Sequence, residues 1–172
     1  GIDSAMVSIA TPFGGKGAIQ NLQVGPGVTE TTATEVASLS KSVGSAFAIE
    51  YFAKHNISLD EGVNALLTKL GSTFQLKVQE DVTAEDKAEW PAQFKVIHLM
   101  QHFGLNLHYV NGIPANLKMP AVTEFLEGNA LAKLDPIRIV NKPGEVFKYS
   151  GAGFIVLQYI IELHSGEEIE TL

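Results

Sequence analysis

The chain has 172 residues, of which 45% are hydrophobic and 18% are charged, and its formal net charge is −7. This composition is typical of a globular chain of one-domain length, and it argues against disorder and against nucleic acid or an anionic membrane surface as a partner. The sequence contains no cysteine, which excludes thiol catalysis, disulfides and thiolate metal sites. No apolar run reaches the roughly 18 residues that would predict a membrane-spanning helix.

The first part of the chain predicts a hairpin followed by two helices. Two short apolar segments, 6–10 and 18–24, flank the glycine-rich stretch 13–17, and this pattern predicts a β-hairpin. Over residues 38 to about 55, apolar side chains recur at three- and four-residue spacing, which predicts a long helix. A shorter helix is predicted over residues 59–70.

Further elements are predicted in the second half of the chain. Pro91 fits the first turn of a helix that runs towards Gly104. Residues 104–120 predict a surface loop and residues 121–127 a short helix. Two extended pieces, 137–140 and 146–149, are predicted on either side of a turn.

The last predicted helix, residues 154–163, is apolar on nearly every face. A helix of this kind is buried in the middle of a domain. Gly166 is expected to cap it, and residues 167–172 are expected to begin another amphipathic helix. Because few strands are predicted and the chain stops early, we expect the buried helix to be partly uncovered and the chain to be an incomplete part of a domain.

Ser38 and Lys41 form a Ser-x-x-Lys pair at the start of the first long helix. Chance alone predicts about 0.6 such pairs in a chain of this composition, so the spacing needs its context. One helical turn brings the lysine within reach of the serine hydroxyl, which is a poor nucleophile until a base takes its proton. A lysine can be that base if burial lowers its pKa, and the helix N-terminus favours oxyanion charge. The alternative is a helix-capping serine beside a solvated lysine.

Five segments match, in order, the segments of one known family. They are the opening strand 1–10, the Ser-x-x-Lys stretch 34–42, the Leu-Asp-x-x-Val-like stretch 57–63, the Ile-x-x-Leu-Met-x-His stretch 96–105, and the Pro-Gly-x-x-Phe-x-Tyr-Ser stretch 142–154. Together they resemble the serine β-lactamases and penicillin-binding proteins, in particular the class C β-lactamases, esterases, D-aminopeptidases and carboxypeptidases. The match extends over nearly the whole chain.

The resemblance implies an α+β fold of the β-lactamase/transpeptidase type, in which an antiparallel sheet flanked by helices adjoins a helical region. This chain would be the first portion of one catalytic domain, with the hairpin and its lead-in at 1–37 and most of the helical region at 38–172. The resemblance implies that Ser38 is the acylated nucleophile, Lys41 its base and Tyr149 the proton shuttle. It implies no metal and no organic cofactor.

Two departures from the family pattern bear on function. The resemblance implies that Gly151 is a substrate-binding position, where many members carry the asparagine of a Tyr-x-Asn motif, and its lack of a side chain favours esters or small amides over β-lactams. D-Amino-acid amides and peptides stay open as substrates. Gln101-His102-Phe103 replaces the family's Ser-His-Thr. Both departures leave open an inactive binding or structural protein on the same scaffold.

The third family motif, Lys/His-x-Gly, supplies the second oxyanion N–H. The sequence His164-Ser165-Gly166 matches this motif, but it ends the buried helix, where a glycine cap is expected. We therefore expect a second polypeptide from the same precursor, carrying this motif and the rest of the domain, to pair with this chain. A truncated chain is the alternative. The remaining partner expected is a small-molecule or peptide substrate.

Three other patterns have simpler interpretations. His98 and His102 could form a metal pair, but no third ligand is evident, and structural roles are expected for both. The glycines of Gly151-Ala152-Gly153 resemble a dinucleotide fingerprint, yet Val156 occupies the third glycine position. The acidic run 80–89 predicts a solvated face.

Overall fold

The structure is a computed structural model that describes residues 3–11, 18–108, 113–130 and 133–172. The chain divides into two compact units, Gly1–Ala37 and Ser38–Leu172. The described residues combine short strands with a larger helical part, as the α+β expectation requires.

The first unit is built on an antiparallel hairpin of β1 (Ala5–Thr11) and β2 (Ala18–Val24), which confirms the predicted pairing. The predicted glycine-rich connection lies outside the described residues. Residues opposite each other in an antiparallel pair point to the same face. The register therefore places four exposed apolar side chains on one face: Val7, Ile9, Leu22 and Val24. A lone hairpin of this kind is marginal in water.

The second unit is mainly helical. Its helices are α1 (Leu39–Lys54), α2 (Val63–Lys69), α3 (Ala84–Gln93), α4 (Val96–Gln101), α5 (Val122–Glu127) and α6 (Ala152–Ser165). Two-residue strands β3 (Lys77–Val78) and β4 (Arg138–Ile139) pair in parallel, and a 3₁₀ turn covers Ile169–Thr171. Among the residues described, no helix is both long and apolar enough to span a membrane.

The core of this unit is centred on α6. Val156 and Ile160 are fully buried, and the helix packs against α1, α4 and α5, which supply Phe52, Leu99 and Leu126 to the same cluster. The prediction of a buried helix is confirmed. The expectation that α6 would be left partly uncovered holds only for Phe154, Ile155 and Leu163, which are half-buried, because the surrounding helices of the same unit cover its other apolar side chains.

The region between residues 59 and 104 differs from the predicted helices. Pro91 lies inside α3 instead of opening a helix, and the chain becomes extended at Phe94 before α4 begins. The start of α3 is set within the acidic run, where the Thr83 side chain accepts a hydrogen bond from the N–H of Asp86. A threonine cap and first-turn carboxylates stabilise a helix N-terminus. Because of these two features, the helix begins at Ala84 and not at Pro91.

The piece predicted to be extended over residues 146–149 takes part in a single bridge, between Phe103 and Phe147. One terminal expectation is wrong. The stretch 167–172 makes only the 3₁₀ turn and not an amphipathic helix. Gly166 ends α6 with a φ of 75°, as the predicted left-handed cap requires.

Candidate active site

The side chain of Ser38 stands at the N-terminus of α1 without capping it. Its backbone has φ −70° and ψ −7°, and its hydroxyl makes no hydrogen bond to the first-turn N–H groups. Instead, Lys41 Nζ donates to Ser38 Oγ at 3.3 Å, and the Lys41 side chain is half-buried. The one-turn reach predicted from the spacing is therefore present, and the interpretation as a capping serine with a solvated lysine is wrong.

Tyr149 reaches the same hydroxyl from a distant part of the chain. Its Oη donates to Ser38 Oγ at 2.5 Å, and Lys41 Nζ lies 5.3 Å from the centre of its ring. The hydrogen bond with Ser38, followed by the hydrogen bond and the positive charge of Lys41, lowers the pKa of the Tyr149 phenol below its ordinary value of 10.0. The structure thus brings together the three side chains singled out in the sequence.

Ser150 fixes the backbone that carries Tyr149. Its side chain is 1% exposed, and its hydroxyl donates to the carbonyl of Asn106 at 2.5 Å while accepting from the N–H of Ala152 at 3.1 Å. A buried hydroxyl that both donates and accepts a hydrogen bond is costly to remove, because its partners are left unpaired. Ser150 was not predicted from the sequence, although its position directly after Tyr149 was a signal.

Gly151 is the N-cap of α6, with φ −72° and ψ −23°. Its N–H donates to the carbonyls of Leu107 and His108 at 3.0 and 3.2 Å. Having no side chain, it offers no amide beside Tyr149, and its role in substrate binding stays a prediction.

His102 and His98 occupy different surroundings on α4. His102 ends the helix in the left-handed region (φ 62°, ψ 41°), and its ring is stacked on Tyr149 with centroids 4.3 Å apart. The ring of His98 points to the start of the helix, where its Nδ1 accepts from the N–H of Lys95 at 3.1 Å. The part of the chain that the structure describes holds no group of three or more His, Asp or Glu side chains placed to bind a metal ion.

The glycines of Gly151-Ala152-Gly153 have a structural explanation in the packing of α6. A Cβ at Gly153 would stand 2.2 Å from the carbonyl oxygen of Leu99, so the close approach of α4 and α6 requires glycine there.

The comparison with protein families agrees with this fold. Residues 11–172 match the family model described as Beta-lactamase, and the chain belongs to that family. The resemblance to serine β-lactamases and penicillin-binding proteins, stated from the sequence, is confirmed.

One solved structure with the same fold is a "putative beta-lactamase" from Bacteroides dorei DSM 17855. It superposes with a TM-score of 0.61 at 17% sequence identity and covers 96% of this chain. This chain spans 42% of the length of that protein, in agreement with an incomplete part of the fold. At this identity the likeness concerns the fold alone. No curated protein matches the chain.

Proposed function

We propose that this chain carries the nucleophile, base and proton shuttle of a serine hydrolase: Ser38, Lys41 and Tyr149. The observation that carries the proposal is that one hydroxyl, Ser38 Oγ, receives hydrogen bonds from both Lys41 Nζ and Tyr149 Oη. A serine needs an adjacent base to become a nucleophile, and two candidates are in contact with it. Membership of the Beta-lactamase family favours hydrolase activity.

In the proposed reaction, Ser38 Oγ attacks the acyl carbon of the substrate as its proton passes to Lys41. The bond from that carbon to the leaving group then breaks. Tyr149 gives its phenolic proton to the leaving group and takes back a proton from Lys41, which thereby releases the proton that it received from Ser38. Water hydrolyses the Ser38 ester in a second step that returns the hydroxyl. The lowered pKa of Tyr149 supports the shuttle, because a phenol with a pKa closer to neutrality exchanges protons more readily in both directions.

The substrate class that we propose is a carboxylic ester or a small amide. Gly151 carries no side chain, so this position offers no carboxamide to a substrate. A β-lactam that is recognised through such a carboxamide would therefore bind less well than a substrate that does not need it. A D-amino-acid amide or peptide is the next candidate, and a β-lactam the one after it.

Covalent labelling tests the nucleophile. The native protein, with every polypeptide segment that accompanies this chain, is incubated with a fluorophosphonate or an activated ester, and its peptides are mapped by mass spectrometry. We expect the adduct on Ser38 and its loss in Ser38→Ala. Ser40→Ala is the matched control, because Ser40 is an exposed serine of the same helix. An adduct on Ser40 or Ser42 instead would contradict the assignment. Absence of any adduct would favour an inactive scaffold.

We also propose that a second polypeptide, carrying the rest of the fold with its Lys/His-x-Gly motif, accompanies this chain. In the first unit, the apolar hairpin face is exposed; in the second unit, Leu39 and Val43 of α1 are 69% and 73% exposed. Burying one such side chain fully is worth about 1.5–3 kcal/mol, so further polypeptide that covers them would stabilise the chain. The greater length of the Bacteroides dorei protein supports the existence of a rest of the fold, whether it belongs to a second polypeptide or to the same one.

The mass of the native protein under denaturing conditions tests this proposal. We expect two species, one of them this chain of 18.5 kDa. A single longer species would place the rest of the fold in the same polypeptide. A single species of 18.5 kDa, from a sample that is folded and monodisperse before denaturation, would refute the partner.

A further inference from the structure

The ring of His102 forms the surface on which the Tyr149 phenol lies. The two rings are stacked with an interplanar angle of 24° and centroids 4.3 Å apart. On its other sides the imidazole contacts Phe147 and Phe154, each with centroids 5.9 Å away. Tyr149 is therefore oriented by a ring that is itself packed between aromatic side chains.

The same histidine is attached to the backbone that follows Tyr149. The N–H of Ser150 lies 3.1 Å from His102 Nδ1, and the carbonyl of Ser150 lies 3.0 Å from it. In addition, the N–H of Lys148 donates to the His102 carbonyl at 2.8 Å. The residues before and after Tyr149 are thus both hydrogen-bonded to His102.

We propose that His102 is a positioning residue that holds the Tyr149 phenol against Ser38 Oγ, chiefly by stacking on its ring, while its hydrogen bonds to Lys148 and Ser150 contribute less. The proposal rests on the proposed function, since it gives Tyr149 a proton to deliver. A displacement of about 1 Å in a reacting group can cost about a hundredfold in rate, so a residue that orients the phenol has a large effect without touching substrate.

The charge state of His102 agrees with this role. Burial is the main cause that lowers its pKa below 6.5. The backbone of Ser150 opposes this effect, and the positive charge of Lys41 acts in the same direction as burial. The ring is consequently neutral at neutral pH. In that state Nδ1 accepts from the Ser150 N–H in one tautomer and donates to the Ser150 carbonyl in the other.

Three variants of the native protein, with all its segments, test the proposal. His102→Asn removes the ring but tolerates the left-handed backbone at this position and keeps an acceptor for Ser150. His102→Phe keeps a flat ring and drops the acceptor. His98→Asn is the matched control, because it removes an imidazole of the same helix whose ring contacts Phe94 and Phe103.

Two readouts are followed: ester turnover with its acylation step, and the pKa of Tyr149 from NMR of carbon-labelled tyrosine. In His102→Asn we expect kcat to fall about tenfold or more with KM within about twofold. We also expect the Tyr149 pKa to move back towards about 10. The fall in kcat should be several-fold smaller in His102→Phe than in His102→Asn, and His98→Asn should change neither readout.

Wild-type turnover and a wild-type Tyr149 pKa in His102→Asn would overturn the proposal, as would a His102→Phe variant as slow as His102→Asn. If His102→Asn does not fold, the His102→Phe variant decides. A fall in its kcat of less than about tenfold supports the stacking role, and a larger fall in kcat together with a Tyr149 pKa near 10 refutes it. The NMR readout does not depend on catalysis. A Tyr149 pKa that follows His102 while Ser38 is never acylated would keep the positioning role and reject the hydrolase.

Discussion

Replacing Gly153 by alanine should separate the two helices that position the active site. The added Cβ would stand 2.2 Å from the carbonyl oxygen of Leu99 and 3.0 Å from its carbonyl carbon, where ordinary contact begins at 3.4 Å. Both neighbours are backbone atoms, so α4 and α6 have to move apart by about 1 Å. Overpacking of this kind typically costs about 1–3 kcal/mol, and we expect the free energy of unfolding to fall by at least that amount.

Gly44→Ala is the matched control for this prediction. A Cβ there would lie 3.8 Å from the Phe154 ring, an ordinary contact, and alanine favours a helix interior over glycine by about 0.5–1 kcal/mol. Urea unfolding followed by circular dichroism should therefore show Gly153→Ala less stable and Gly44→Ala more stable than the wild type. Equal or greater stability in Gly153→Ala would refute the close approach of α4 and α6.

Three further predictions concern the site and its surroundings. Ser150→Ala should lower the free energy of unfolding by about 1–3 kcal/mol, since the Asn106 carbonyl loses its donor; an unchanged urea midpoint would contradict this. Lys41→Ala and Tyr149→Phe should each slow acylation by several kcal/mol of activation free energy, with the double variant far from additive; additive losses would show that they do not act as one unit. Stability should fall as the pH drops below about 6.5, because the unfolded chain then binds more protons than the folded one. A flat profile between pH 6.5 and 5 would contradict the lowered pKa values of three histidines: His98, His102 and His164.

The sequence predicted the elements whose signals are local. The periodicity over residues 38–55 and the all-round apolar character of 154–163 gave helices that the structure contains as α1 and α6. The extended piece predicted over residues 137–140 contains β4, whereas the two-residue strand β3 was missed, because a pair of residues has no measurable periodicity. The boundary at Pro91 was wrong, because the cap at Thr83 determines where that helix starts.

Within the site, the sequence alone determined the proximity of Ser38 and Lys41, because one turn of helix fixes the distance between side chains three residues apart. Family resemblance, and not any local pattern, pointed to Tyr149, which lies 111 residues from Ser38. Only the tertiary structure decided that His102 stacks on that phenol and that α6 is covered by α1, α4 and α5. Contacts between residues so far apart in the chain depend on how whole helices pack, and helix packing is decided by side chains from several elements at once.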